Sequence, residues 1–269
     1  MNVHRPPTPD HEDDALLALA GRLATEAAAL ILEVRARGFE TLTKQDNSPV
    51  TEADQRAEAL ILAGLRTHSS IPVIAEEEVA AGIEIVGGDA FWLVDPLDGT
   101  REFTAGSDNF TVNIGLVRHG RAVLGAVALP AYGSLYLGRI AVDGARFAVR
   151  RDAGGETPII VRTPPADGLT VLASRHYAND PALLAYLGRQ RIASLGNIGS
   201  AAKFVRVAEG AADLYPRLGP TMEWDTAAPQ AVVEAAGGSV TLFDGTPLRY
   251  GKPGWTNPHF LCRGDLTKT

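Results

Sequence analysis

A short apolar run that breaks abruptly into a carboxylate-bearing turn constrains this chain most. Phe91 to Val94 is long enough for a buried strand and too short for a helix. The sequence then reads Asp95-Pro-Leu-Asp-Gly-Thr100, where the proline stiffens the turn and the glycine frees it. Two carboxylates on such a turn can converge on one point, which suits a hard cation with oxygen ligands. An ordinary polar turn is the alternative, since Asp, Pro and Gly are the usual turn residues.

The chain around this turn predicts helices packed on an antiparallel sheet. Apolar residues recur at helical spacing over 12–37, and segment 51–54 has the form of a capping box that opens a second helix, which ends near residue 66. Two hairpins follow, over 110–129 and 134–150, each around a glycine-containing turn. Because successive hairpins build an antiparallel sheet, residues 12–155 are predicted to form an N-terminal half of this kind.

Strands alternate with helices in residues 156–269, which predicts a more α/β-like C-terminal half. The predicted strands cover 159–162, 169–173, 191–195 and 213–215, and the predicted helices cover 181–189, 201–210 and 226–236. The chain is therefore expected to have an α+β fold.

Composition and charge argue against several classes of function. The formal net charge is -7, which disfavours general affinity for nucleic acid or for an anionic membrane. Cys262 is the only cysteine, so no disulfide can form within the chain, and a reducing compartment is favoured. Residues 1–10 lack the apolar segment of a secretory signal, and no run approaches the roughly 18 apolar residues that cross a bilayer. We expect a soluble, cytoplasmic protein.

Three further acidic positions offer carboxylates, and each also has an ordinary structural interpretation. Asp54 can simply close the capping box, and Asp225 can cap the last predicted helix. Glu76 opens a run of three acids after a predicted strand, 71–75, which is either a solvated loop or a place where a cation relieves repulsion. The sequence has no phosphate-binding glycine loop, nucleophile elbow, cysteine cluster or His-x-x-x-His pair. An oxygen-rich set of side chains remains.

Hydroxyl and basic residues of the C-terminal half are candidates for binding an anion. His176 follows a predicted strand, and Ser200 precedes a predicted helix that carries Lys203. The free N–H groups at a helix N-terminus attract phosphate, which makes this second position a candidate. Arg217 lies at the end of another predicted strand. Each of these residues, taken alone, can also be an ordinary surface residue.

Three separated motifs stand in a specific order along the chain. They are Glu76-Glu77, then Asp95-Pro-Leu-Asp-Gly-Thr100, then Trp224-Asp225-Thr-Ala-Ala228 with Gly237-Gly238 following. This order resembles the signature of the inositol monophosphatase superfamily, whose members are magnesium-dependent, lithium-sensitive phosphomonoesterases. Other stretches resemble its bacterial 3'(2'),5'-bisphosphate nucleotidases of sulfate assimilation. These stretches are Asp46-Asn-Ser-Pro-Val-Thr51, 91–103, 110–114, and the segments around Ser200, Lys203 and Arg217.

The resemblance implies a role for individual residues. The positions that match magnesium ligands are Glu76, Asp95, Asp98, Asp225 and the backbone carbonyl of Leu97. Asp54 and Thr100 match the pair that orients and activates the attacking water. The positions that match substrate contacts are Glu76, Leu97, Asp98, Gly99, Thr100, His176, Ser200, Lys203, Arg217 and Asp225.

The resemblance also implies a fold, a reaction and a cofactor. The fold is a layered αβαβα sandwich, and the cofactor is two or three Mg²⁺ ions. The expected reaction removes the 3'-phosphate of adenosine 3',5'-bisphosphate, or of its sulfated form, to give AMP or its sulfated counterpart and phosphate. An inositol- or sugar-phosphate phosphatase of the same fold is the first alternative, and a non-catalytic nucleotide sensor is the second. The expected protein is a monomer or homodimer with a small nucleotide substrate and no nucleic-acid or membrane partner, cytoplasmic or peripheral at the inner membrane.

Overall fold

Two β-sheets, one of seven and one of five strands, frame the computed structural model, which describes residues 9–43, 49–174 and 180–265. The helices are α1 (Pro9–Arg37), α2 (Glu52–His68), α3 (Glu76–Ala80), α4 (Thr100–Thr104), α5 (Pro181–Leu187), α6 (Ala202–Ala208) and α7 (Ala227–Ala235). The strands are β1 (Thr41–Thr43), β2 (Pro49–Thr51), β3 (Val73–Ala75), β4 (Ala90–Asp98), β5 (Thr111–Arg118), β6 (Arg121–Leu129), β7 (Ser134–Ile140), β8 (Arg146–Asp152), β9 (Gly155–Pro158), β10 (Leu169–Ser174), β11 (Ile192–Ile198), β12 (Leu214–Arg217), β13 (Ser239–Thr241) and β14 (Phe260–Arg263).

The large sheet has the strand order β3-β4-β5-β6-β7-β8-β9. From β4 to β9 every neighbouring pair is antiparallel, so the two predicted hairpins are confirmed. The β3–β4 pair is parallel, which the hairpin pattern did not predict. The chain reaches β4 from β3 through α3 and an irregular segment, and this crossover replaces the tight turn that an antiparallel pair requires.

The small sheet has the strand order β11-β10-β12-β14-β13. Its first three strands are parallel and its last two pairs are antiparallel. The predicted strand over 159–162 is wrong: the backbone N–H of Ile159 bonds to β8, and that of Val161 bonds to the carbonyl that follows α7. This apolar stretch thus bridges two layers, and Pro164-Pro165 beyond it cannot extend a hydrogen-bonded strand.

Helices and sheets alternate in five layers. One core cluster joins α1 and α2 to one face of the large sheet, and a second joins the opposite face to α6, α7 and the small sheet. A smaller cluster packs α5 on the outer face of β10 and β12. This is the αβαβα arrangement that the resemblance implied. The predicted division after residue 155 falls at the first residue of β9, and its status as a domain boundary stays a prediction.

Helix α1 is the exception to the expectation that no segment could cross a bilayer. Among the described residues, one stretch, Glu12–Arg37, is long and apolar enough to do so by length and composition alone. Its apolar side chains, which include Leu23, Ala27 and Ile31, are nonetheless buried against α2 and the large sheet. The hydropathy of α1 is thus accounted for by its place in the first core cluster.

Three glycines on neighbouring strands let α7 approach the large sheet closely. Gly115, Gly125 and Gly138 are partners in register across β5, β6 and β7. A Cβ atom on Gly125 would lie 2.2 Å from the carbonyl oxygen of Ala228, and one on Gly138 would lie 2.4 Å from the Cα of Val232. Both atoms belong to the backbone of α7, so no change of rotamer could relieve the overlap. We call these three residues the glycine seam.

Gly125→Ala is expected to force α7 away from the sheet. Overpacking against fixed backbone lowers the free energy of unfolding, here by about 2–3 kcal/mol. Chemical denaturation measures this loss. Gly88→Ala is the matched control, because a Cβ at Gly88 would meet no atom within 4 Å. Equal stability of the two variants would contradict the close packing described for the seam.

Candidate active site

A cavity of about 660 Å³ opens where the two halves of the chain meet. Asp98 and Thr100 line it from the large-sheet side, and Lys203 and Arg217 line it from the small-sheet side. Acidic groups therefore face basic groups across one space. The cavity brings together most of the residues that the resemblance singled out, which lie far apart in sequence.

The end of β4 presents the carboxylates of the second motif. The carboxylate of Asp95 accepts a hydrogen bond from the N–H of Leu97 at 3.0 Å, which folds the chain end back on itself. Gly99 then adopts φ = 93°, and a Cβ at this position would lie 3.1 Å from the carbonyl oxygen of Asn109. A glycine is needed here because the left-handed backbone and the crowded space both disfavour a side chain. The motif is therefore a turn that also presents carboxylates.

Asp54, which is buried, and Thr100, which is partly exposed, form a pair beside this turn. One carboxylate oxygen of Asp54 accepts from the backbone N–H and the hydroxyl of Thr51, both at 2.7 Å, which confirms the predicted capping box. The other oxygen lies 3.0 Å from the hydroxyl of Thr100. Asp54 thus caps α2 and also holds Thr100, so the two interpretations offered by the sequence are compatible.

Asp98 and Asp225 are held by bonds that reach across the cavity or across a turn. Asp98 accepts from the hydroxyl of Thr111 at 3.2 Å and from the backbone N–H of Ala201, which belongs to the other half of the chain. Asp225 accepts from the N–H of Met222 at 2.8 Å and lies in a 3₁₀ turn just before α7. Glu76, the first residue of α3, lines the same cavity.

The turn that carries Asp225 is anchored by a buried acid that the sequence analysis missed. Glu223 is fully buried, and its carboxylate accepts from the N–H groups of Gly251 and Lys252 at 2.8 and 2.9 Å. The ammonium of Lys252 also lies 2.6 Å from it. The only signal for Glu223 in the sequence was its place beside a predicted ligand. Its partner Lys252 lies 29 residues further along the chain, and this pairing is not evident from the sequence.

Burial and mutual repulsion disfavour ionised carboxylates at this site, where Asp98 and Asp225 line the cavity and Asp95 is buried outside its lining. Burial raises the pKa of Asp95 and of Asp225 well above their ordinary values, and the charges of Glu76 and Asp98 raise both further. Burial also raises the pKa of Asp98, against which the nearby ammonium of Lys203 acts. Positive charge placed among these groups would remove the repulsion.

The donor set fits Mg²⁺ by its chemistry. Four carboxylates and a backbone carbonyl supply hard oxygen atoms, which this ion prefers. Within the described residues, no three Asp, Glu, His or Cys side chains are already gathered around one point. Mg²⁺ does not require such a cage, since it retains several waters and uses one or two carboxylates per ion. Asn113 is fully buried opposite Asp95 in the sheet. In the described structure neither polar atom of its side-chain amide has a hydrogen-bond partner.

The C-terminal half contributes a strained loop and two cations. Ser200 has φ = 54°, which is uncommon for a residue with a side chain. The ammonium of Lys203 donates to the carbonyls of Ser200 and Ile198 at 2.6 and 3.2 Å, and so holds this loop. Burial lowers the pKa of Lys203 to about 8. Arg217 donates to the carbonyls of Gly219 and Pro220, which orients it at the cavity wall. His176 lies outside the described residues.

Several residues that line the cavity were not among the candidates from sequence. Among them are Glu102, Tyr215, Met222 and Trp224. The ring of Tyr215 lies 5.0 Å from the ammonium of Lys203, which gives a cation–π contact. Glu102 packs so closely on Gly199 that a Cβ there would lie 2.5 Å from its carboxylate. Their positions follow from tertiary packing, and single residues of these types carry little signal in a sequence.

Comparison with known proteins decides the family. The model of the inositol monophosphatase family matches residues 12–263, nearly the whole chain. The chain belongs to the inositol monophosphatase family. This confirms the resemblance seen in the three motifs.

Individual relatives refine the likeness. The chain is 42% identical over 245 residues to the 3'(2'),5'-bisphosphate nucleotidase CysQ of Salmonella typhimurium, an alignment that covers 89% of this chain and 96% of that protein. It is 35% identical over 266 residues to the 3'-phosphoadenosine 5'-phosphate phosphatase of Mycobacterium leprae, covering 93% and 89%. The crystal structure of CysQ from Bacteroides thetaiotaomicron matches with a TM-score of 0.78 and 30% identity, over 93% of this chain and 97% of that one. The layered fold is thus shared with this relative.

Mg²⁺ is expected to raise the melting temperature more as the pH rises. The folded-state pKa values of Asp95, Asp98 and Asp225 are raised, so between the ordinary carboxyl pKa of about 3.9 and these higher values the folded state binds more protons than the unfolded state. Without metal, the contribution of these groups to stability therefore falls as the pH rises. Mg²⁺ should offset that loss.

Thermal unfolding with Mg²⁺, or with K⁺ at equal ionic strength, measures the effect at a series of pH values. The Asp95→Asn variant serves as the matched control and should show a smaller dependence on pH. A gain from Mg²⁺ that is the same at every pH would contradict the electrostatic account of the cavity.

Proposed function

We propose that this chain is a Mg²⁺-dependent 3'(2'),5'-bisphosphate nucleotidase, a hydrolase that removes the 3'-phosphate of adenosine 3',5'-bisphosphate to give AMP. The nucleotidase and phosphatase relatives support this class of substrate. The observation that carries the proposal is the cavity itself, with carboxylates on one wall and cations on the other. A substrate with two phosphates can place one at a metal-bound acidic wall and the other at a basic wall.

The acidic wall would hold the cofactor. We assign the ligands to Glu76, Asp95, Asp98, Asp225 and the carbonyl of Leu97. Bound Mg²⁺ would lower the pKa of a water and neutralise charge on the phosphate. The family is metal-dependent, and the number of ions, two or three, stays a prediction.

Asp54 and Thr100 would act on the attacking water. The hydroxyl oxygen of Thr100 lies 3.0 Å from a carboxylate oxygen of Asp54 and 3.0 Å from the carbonyl oxygen of Leu97, and both of these accept its proton. The lone pairs of the hydroxyl oxygen therefore stay available to accept a hydrogen bond from another donor. A water can therefore donate to Thr100 and be aimed at the phosphorus. Asp54 keeps Thr100 in this orientation. Asp54 would then act as the general base through Thr100, which lies between it and the water.

The basic wall would hold the second phosphate and the nucleoside. Lys203 has three N–H donors, two of which meet backbone carbonyls, and Arg217 is fixed at the same wall. Ser200 lines the same cavity. His176 keeps its role as a predicted contact. The sulfated nucleotide as a second substrate, a monomeric or homodimeric state, and a cytoplasmic or peripheral location also stay predictions.

Phosphate release from three substrates tests the proposal. Adenosine 3',5'-bisphosphate should be hydrolysed in the presence of Mg²⁺ and not in the presence of a chelator. Inositol monophosphate and fructose 1,6-bisphosphate should both be poor substrates. Inositol monophosphate has no second phosphate for the basic wall, and fructose 1,6-bisphosphate has no nucleoside for it. Dominant activity on either sugar phosphate would favour the alternative phosphatase and contradict the substrate assignment.

Thr100→Val is expected to lower kcat by about 10²–10⁴, the usual contribution of general acid–base catalysis. Valine keeps the shape of threonine and removes the hydroxyl that would orient the water. Thr100→Ser is the matched control, since it keeps the hydroxyl and should retain most activity. Equal rates for the two variants would exclude the proposed role of Thr100. If the wild-type protein binds the nucleotide but does not hydrolyse it, the protein is better described as a nucleotide sensor.

A further inference from the structure

The first turn of α3 depends on another helix for its hydrogen bonds. Its N-cap residue, Ala75, has a methyl side chain that cannot accept a hydrogen bond from the free N–H groups of the turn. The turn consists of Glu76, Glu77 and Glu78, three acids in succession. A local cap of the usual Ser, Thr, Asp or Asn type is therefore replaced by something else.

The replacement is Glu58 of α2. One of its carboxylate oxygens accepts from the N–H of Glu77 at 2.8 Å, and the other accepts from the N–H of Glu78 at 2.9 Å. Glu58 is only 4% exposed, and burial raises its pKa to about 7. This contact places the buried carboxylate of Glu58 close to the three acids of the first turn of α3. Burying a charged group in this way costs free energy.

The position of Glu58 on α2 relates it to the proposed catalytic pair. Glu58 follows Asp54 by four residues, which is one turn of helix, so both carboxylates lie on the same buried face. Helix α2 therefore holds Thr100 through Asp54 and α3 through Glu58. The residue at the start of α3 is Glu76, which lines the cavity.

We propose that Glu58 is a positioning residue of the metal site, which clamps the first turn of α3 and thereby fixes the carboxylate of Glu76 for the cation. The proposal rests on the proposed function, because it takes Glu76 as a metal ligand. Strand β3 holds Glu76 from its N-terminal side by pairing with β4, and Glu58 holds the two amides that follow it. Loss of the clamp lets the first turn rotate about the end of β3.

The test uses the whole protein without substrate and Mn²⁺ as a stand-in for Mg²⁺. Glu58→Gln keeps the shape of the side chain but leaves only one acceptor oxygen for two N–H groups. We expect its Mn²⁺ affinity, measured by the electron paramagnetic resonance signal of the free ion, to fall about 10–100-fold, as for other residues that orient ligands. The amide protons of Glu77 and Glu78 should exchange with solvent faster than in the wild type.

Two further variants separate the clamp from an effect of charge and from a general loosening of α3. Glu58→Asp keeps the charge but is one methylene shorter, so it should also weaken Mn²⁺ binding, whereas a pure effect of charge would leave it like the wild type. Arg66→Gln removes a different α2–α3 contact, the ion pair with Glu78 at 2.7 Å, and spares the clamp. It should bind Mn²⁺ as the wild type does.

Wild-type Mn²⁺ affinity in Glu58→Gln, or in Glu58→Asp, would overturn the proposal. So would an equal loss in Arg66→Gln, since the effect would then report general loosening of α3. Because the measurement uses metal alone, it remains valid if the nucleotide proves to be the wrong substrate. Failure of the nucleotidase assignment would appear in the hydrolysis assay and not in these titrations.

Discussion

Helix α7 can lie against the large sheet only because three neighbouring strands carry hydrogen atoms where other residues carry side chains. The glycine seam, at Gly115, Gly125 and Gly138, lets the helix backbone come into direct contact with the sheet. Asp225 stands immediately before α7, in a turn that Glu223 anchors. The separation between Asp225 and the carboxylates of β4 is thus set by the depth of this contact. A packing contact that begins at Ala227 and Ala228, just after Asp225, therefore helps to set the geometry of the cavity.

The cavity shows how burial and charge oppose each other in this fold. Desolvated carboxylates repel one another, and their raised pKa values express the free energy that this costs. Bound cations would convert that cost into binding energy, because each ion meets several negative charges that are already fixed in place. The stability of the protein and its affinity for metal are therefore expected to be coupled.

Local patterns in the sequence were sufficient for much of the fold and of the site. The capping box of α2, the hairpins of the large sheet and the turn at the end of β4 each depend on neighbouring residues, and all three are present. The family motifs then assigned a chemical role to Asp54 that its cap geometry alone left open. The family assignment itself was also correct.

Features that depend on distant contacts could not be predicted. The apolar stretch 159–162 has the composition of a strand, but it bridges two layers because its hydrogen-bond partners lie near α7 and β8. Glu58 and Glu223 resemble ordinary surface acids in the sequence, and only the fold gives them the amides that they accept from. Lys203 likewise has a lowered pKa because of tertiary burial. The sequence shows which groups are available, and packing decides which of them meet.

The raised pKa values and oxygen-rich donors of Asp95, Asp98 and Asp225 together imply that these carboxylates share divalent cations. Crystals of the protein soaked with Mn²⁺ test it most directly, through the anomalous scattering of that ion. We expect strong anomalous peaks within coordination distance of Asp95, Asp98 and Asp225, between β4 and α7. Peaks only at surface carboxylates, with none in the cavity at a saturating concentration of Mn²⁺, would contradict it.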